Sequence, residues 1–259
     1  MDETPAKLLK RALAAQTPIG LPSESAGLNQ IVRTLISSFE RAEILALGEA
    51  HASQPDSDLR IALVRHPECA RRVRSIVVEF GSTTAQATLD RYIRGEAVTP
   101  AQLAEVWTTT TQPGMRDGGS SRFYRQFFDA VRDVNAKLPA DRRVRVFGGD
   151  PGPTDRRSRE TAALSVLKEQ VLEKREKALV IYGAAHFYRA VPPDYLASMG
   201  TDVGLVRMLD TQFPGRTFAV IRVGGPPARI PGLAVPDPDY AKFDRALQTA
   251  VRPVLLSLQ

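Results

Sequence analysis

The sequence predicts an α/β fold: a mainly parallel central sheet of about five strands, with helices on both faces, in a single domain. Three observations carry this. Short, almost wholly apolar runs recur along the chain, segments with helical periodicity separate them, and most of the runs leave through a Gly beside an ionisable residue. A run that is apolar at every position cannot alternate between core and solvent, so both faces of its sheet are covered.

Residues 1–27 are rich in Pro, Ala, Ser and Gly and read as a loosely ordered lead-in around a short helical piece, 6–15. The α/β body is expected over 28–225. It opens with Leu28, Ile31, Val32, Leu35 and Ile36 at helical spacing, which feed a first strand over 43–47. Residues 59–74 read as helix broken at His66-Pro67, because a residue before proline is pushed out of the helical region. The β-branched run after it places a second strand over 75–80. Helices follow over 85–94 and 100–106. A stronger one over 122–138 gathers Phe123, Phe127, Val131, Val134 and Leu138 on one face, and leads to a third strand over 144–148. The charged segment 155–177 delivers a fourth strand over 178–182, and a helix over 203–212 a fifth over 217–223. Pro226, Pro227, Pro231, Pro236 and Pro238 then mark a linker, so that 226–259 reads as Pro-rich linker and closing helix, the helix over 240–256 packed on the domain. The Gly-containing stretch 108–121 is long for a compact domain, and reads either as a lid over a site or as a surface loop.

Nothing in the chain approaches the run of about eighteen apolar residues that spans a membrane, and the start lacks signal-peptide character. The chain therefore reads as soluble and cytoplasmic by default; a precursor that had lost a leader would look the same. A single cysteine, Cys69, excludes an internal disulfide framework and reads as a small buried residue. The net charge is +6. Its arginines are scattered over helix ends and loops without interleaved aromatics, so no specific nucleic-acid surface is expected.

Ligands of parallel α/β sheets bind beyond the carboxyl ends of the strands. There the sequence places Gly48-Glu49-Ala50-His51, Val78-Glu79-Phe80-Gly81, Gly148-Gly149-Asp150 and Gly183-Ala184-Ala185-His186. Two of the three histidines thus stand in Gly-x-x-His at strand ends, while His66 beside Pro67 reads as structural. An imidazole that titrates near neutrality can take a proton from water, and a carboxylate can fix its tautomer. His51, Glu49, Glu79 and His186, with Asp150, are accordingly the candidate catalytic residues. The same set could bind a divalent metal and leave a position for water. No Gly-x-Ser-x-Gly elbow and no phosphate-binding Gly-rich loop is present, so a serine triad is not expected.

These residues resemble the erythromycin esterase-like family, within the wider superfamily that includes the haem-uptake protein ChaN and the Tiki/TraB metalloproteases. The resemblance covers roughly 40–223. It rests on Gly48-Glu49-Ala50-His51, Val77-Val78-Glu79, Trp107, the helix from Phe123 to Asn135 before Val146-Phe147-Gly148-Gly149-Asp150, and Gly183-Ala184-Ala185-His186. It implies a hydrolase acting on an ester, lactone or amide in a small-molecule substrate, with His51 as general base on water and Glu49, Glu79 and His186 assisting. Arg60, Trp107 and Arg116 would then bind substrate. No cofactor is required in that branch. The Tiki/TraB branch implies a divalent metal, for which His51, Glu79 and His186 would be donors, and the ChaN branch a non-catalytic haem-binding protein. After His51 the chain departs from the macrolide esterases, with Arg60 the one counterpart, and it is shorter than they are. Macrolide specificity is not carried over, and a smaller or more open cleft is implied.

Overall fold

The computed structural model describes residues 28–51, 53–112, 121–187, 204–223 and 254–258. The elements within it are α1 (Leu28–Ser37), β1 (Ile44–Glu49), α2 (Gln54–Arg65), α3 (Pro67–Arg72), β2 (Ser75–Ser82), α4 (Gln86–Ile93), α5 (Pro100–Thr108), α6 (Ser121–Asn135), β3 (Arg145–Asp150), α7 (Arg159–Leu167), β4 (Ala178–Gly183), α8 (Leu205–Gln212), β5 (Thr217–Val223) and β6 (Val254–Leu258). Among the described residues the sheet has six strands in the order β3-β2-β4-β1-β5-β6. The first five strands pair in parallel, as the apolar runs require. The sixth is antiparallel to β5, at the edge. That strand corrects the end of the expected closing helix: Val254, Leu255 and Leu256 are in extended backbone, and the rest of the stretch read as linker and helix lies outside the described residues. The lead-in, 1–27, lies outside them as well.

Alternation along the buried strands splits the core into two layers. Leu45, Leu47, Ile76, Val78, Phe80, Leu179, Ile181, Phe218 and Val220 face the side covered by α1 to α6. Ile44, Ala46, Val77, Val180, Tyr182, Ala219 and Ile221 face α7 and α8. Burying one such large apolar side chain contributes about 1.5–3 kcal/mol, which explains why the strands are legible as solid apolar runs. The helix ends carry their expected chemistry. His66 is extended (ψ 126°), ends α2 and caps α3, its Nδ1 accepting from the Glu68 N–H at 3.2 Å. Thr99 and Gln102 cap α5 reciprocally. Cys69 is buried, and burial pushes its thiol up to about 12, which leaves it unreactive.

The topology places the site. Connections leaving β1 and β2 cross on the α1–α6 face, whereas those leaving β3 and β4 cross on the α7–α8 face. β4 lies between β2 and β1, so its carboxyl end is flanked by strands whose chains turn to the opposite side, the arrangement that opens a crevice in a parallel sheet. β2 is irregular at this end. Its pairing with β4 ends at Val78↔Ile181, and its register with β3 shifts between Val78 and Ser82, so Glu79 leaves the ladder where the strands part.

Candidate functional site

At the mouth of that crevice the side chains form an alternating series of carboxylates and imidazoles, Glu49, His51, Glu79, His186 and Glu160. Glu49 ends β1 on the α2 side. Its Oε2 accepts from Arg60 Nη1 at 2.5 Å, while its Oε1 lies 3.4 Å from His51 Nδ1. His51 follows in the turn after β1, with its Nε2 3.6 Å from Glu79 Oε2. Glu79 is buried and surrounded by donors. The Gly183 N–H donates to its Oε2 at 2.6 Å; Gln112 Nε2 (2.9 Å), Arg159 Nη1 (3.1 Å) and His186 Nε2 (3.1 Å) converge on its Oε1. His186, in the 3-10 turn Ala184–Phe187, is closed on its other side by Glu160, whose Oε1 is 2.5 Å from Nδ1.

Gly183 permits this assembly. A Cβ there would lie 3.0 Å from His51 Nε2 and 3.3 Å from Glu79 Oε2, so any larger residue would push the two groups apart. Gly149 does the same for the buried Tyr182, whose hydroxyl occupies the space that a Cβ at that position would need. Gly183 and Gly149 therefore mark close approach of side chains to backbone, whereas Gly48, Gly81 and Gly148 mark close approach of backbone to backbone.

Charge follows from these contacts. Burial alone would raise the Glu79 pKa, but the charge and hydrogen bond of His186, the charge of His51 and the Gly183 N–H outweigh it and hold the carboxyl far below the usual carboxylate range. Burial alone would lower His186; Glu79 and Glu160 together raise it to about 9, so it is an imidazolium at neutral pH. Burial raises Tyr182 well above the ordinary phenol, and the neighbouring carboxylates add to it. For His51 burial again pulls down, and the Glu49 hydrogen bond with the charges of Glu79 and Glu49 pulls up further, leaving its pKa raised. Its side chain is 39% exposed, which sets it apart from the buried members of the series.

Folding stability inherits this pH dependence. His186 is raised from 6.5 to about 9, so its contribution is fully present below pH 6.5 and is lost as pH rises through 9. Glu79 is depressed from 4.5, so its contribution is present above that pH and is lost on acidification. Denaturant titrations are expected to find greatest stability between about pH 4.5 and 6.5, falling by on the order of 3 kcal/mol by about pH 10. A profile flat from pH 6 to 10 would contradict the paired state of His186.

Of the remaining candidates, Asp150, Arg60 and Trp107 are among the described residues. Asp150 accepts from Thr111 N–H (2.8 Å), Thr111 Oγ1 (2.7 Å) and the Gly152 N–H (2.8 Å), so it fastens the start of the 108–121 loop and the turn after β3. Arg60 and Trp107, expected to bind substrate, are buried in the core. Arg60 is 2% exposed, with its guanidinium 4.9 Å from the Phe80 ring and its charge spent on Glu49. Trp107 stacks on Phe128 at 6.3 Å and donates to Ser121 Oγ at 3.2 Å. Arg116 lies outside the described residues, as does most of the loop read as lid or surface loop; its described start reaches the site through Gln112. Sequence reasoning missed Glu160, Arg159 and Gln112. The first two open α7 behind the Ser158 cap with no motif around them, and Gln112 stands in a stretch marked only by its glycines.

A metal or haem iron needs imidazole lone pairs or carboxylate oxygens turned toward one open point. Both His186 nitrogens face carboxylates and the ring is cationic at neutral pH, so it has no lone pair to offer. Among the described residues no three His, Cys, Asp or Glu side chains are placed to share an ion. In this arrangement the described residues do not converge on a shared ion, and His186 is not free to ligate a haem iron. Nor is any helix among the described residues long and apolar enough to cross a membrane.

Comparison with protein-family profiles and with curated proteins finds no match. Solved structures are similar to this chain at low identity. A Bacillus cereus protein is 13% identical over 84% of this chain and 74% of its own, with a TM-score of 0.51. A chain described as bacterial protein toxins is 19% identical over 83% of this chain, with a TM-score of 0.43, and this chain spans 38% of its length. ChaN of Campylobacter jejuni, described with cofacial haem binding, is 11% identical over 75% of this chain and 85% of its own, with a TM-score of 0.43. At 13% identity the likeness to the Bacillus cereus protein is one of fold alone.

Proposed function

We propose that the protein is a hydrolase that uses His51 to activate water against an ester, lactone or amide bond. The observation that carries this reading is the position of His51, half-exposed at the crevice mouth and held between Glu49 and Glu79 while its partners are buried. Glu49, fixed by Arg60, orients Nδ1–H and stabilises the imidazolium that forms when Nε2 takes the proton of water. Glu79 keeps the opposite side anionic, and the cationic His186 and Arg159 balance it. Arg159, 19% exposed, is the cation of this group nearest solvent and supplies positive potential for an oxyanion. No serine or cysteine stands in the series, so attack is by water directly.

The test is turnover of a panel of simple esters, lactones and amides by the purified protein. Hydrolysis is expected to persist in chelator and to be lost in His51→Ala. Absence of turnover across the panel, or activity indifferent to His51, would overturn the reading.

A further inference from the structure

We propose that Glu160 is a positioning residue of this site: through His186 it fixes Glu79 opposite His51, although it touches neither Glu79 nor His51. Glu160 is buried in the first turn of α7, a place where a glutamate ordinarily reaches into solvent and gains from the helix dipole there. Burying a carboxylate costs free energy unless a charged partner receives it. That partner is His186 Nδ1, at 2.5 Å, so both ends of the imidazole are held by anions, with Nε2 donating to Glu79 at 3.1 Å. A ring bonded at one nitrogen can swing about its remaining torsion, whereas a ring bonded at both has one orientation. Glu160 thereby decides where the Nε2–H points, and that N–H is one of the donors that hold the Glu79 carboxylate in the crevice.

The same helical turn acts on Glu79 a second time. Arg159, the neighbour of Glu160, donates to Glu79 Oε1 at 3.1 Å, and Ser158 caps the turn by accepting from the Thr161 N–H at 3.1 Å. One capped turn thus delivers both a donor to the central carboxylate and an acceptor to the histidine beside it. On the far side Arg60 holds Glu49 in the same manner, which leaves His51 as the member of the series without a buried clamp of its own.

The activity arm of the test rests on the hydrolase reading, and a spectroscopic arm does not. In the full-length protein, ¹⁵N-labelled at histidine, the short His186 Nδ1–H···Glu160 bond is expected to give a far-downfield proton resonance. Glu160→Gln, which keeps the shape and removes the charge, should abolish that resonance and also shift the ring signals of His51, which residue 160 does not contact. On a substrate that the protein turns over, kcat should fall about tenfold to a hundredfold with KM unchanged, as for a misplaced catalytic group. Glu160→Asp should recover part of both. A variant that keeps the resonance, or one whose His51 signals and kcat match the unaltered protein, would overturn the proposal. If the unaltered protein turns over nothing but the two histidines respond together, the hydrolase reading falls and the positioning role stands.

Discussion

Glu79→Ala is expected to destabilise the protein by about 3–5 kcal/mol, measured as a shift in the denaturation midpoint, because it takes one of its two anions from the buried His186 and the acceptor from three further donors. The Glu79 carboxylate accepts from Gly183, Gln112, Arg159 and His186, and the last of these is sealed from water. Without Glu79, His186 keeps only Glu160, and both Arg159 and the Gly183 N–H lose a charge-assisted bond. Glu79→Gln separates charge from hydrogen bonding: it retains a carbonyl oxygen for the three donors on Oε1 but turns an amide toward the Gly183 N–H. It should fold, be less destabilised than the alanine variant, and lose most of any activity. A cost below about 1 kcal/mol for Glu79→Ala would show that the cluster adds little to stability, as for an exposed ion pair.

The parts of this architecture legible in the sequence are those set by local pattern. Buried strands such as Val77-Val78 and Leu179-Val180-Ile181 are apolar at every position because helices cover both faces, and His66-Pro67 broke the helical run where a pre-proline residue must. Glu49, His51, Glu79 and His186 are legible as neighbours because each stands near or just beyond the carboxyl end of a strand, and parallel strands bring those ends together. Register told less. The resemblance implies substrate-binding roles for Arg60 and Trp107; in the structure the Arg60 guanidinium is buried between aromatic rings and the Glu49 carboxylate, and the Trp107 indole packs with Phe128 and Tyr124. Glu160 and Arg159 were invisible for a different reason. Their function depends on the angle at which α7 meets β2, and a charged helix start looks the same whether its first turn faces water or a buried histidine.

His51→Ala is expected to reduce hydrolysis by about a hundredfold to ten-thousandfold, the contribution of a general base, with little change in the denaturation midpoint. Those two expectations belong together. His51 is 39% exposed, so removing it neither opens a core cavity nor strands a buried charge; Glu49 keeps Arg60, and Glu79 keeps His186, Arg159 and Gly183. A residue that matters greatly for turnover and slightly for stability is placed for chemistry rather than for packing. The pH dependence fixes its role. Its pKa is raised above 6.5, so the neutral imidazole that accepts a proton gains population as pH rises, and kcat/KM should climb through a midpoint above 6.5. His186 stays protonated until about pH 9 and should not contribute to that limb. Were His51 instead the acid that protonates a leaving group, the limb would descend over the same range. A profile of that sign, with turnover still abolished in His51→Ala, would keep the residue in the mechanism and reverse the direction in which its proton moves.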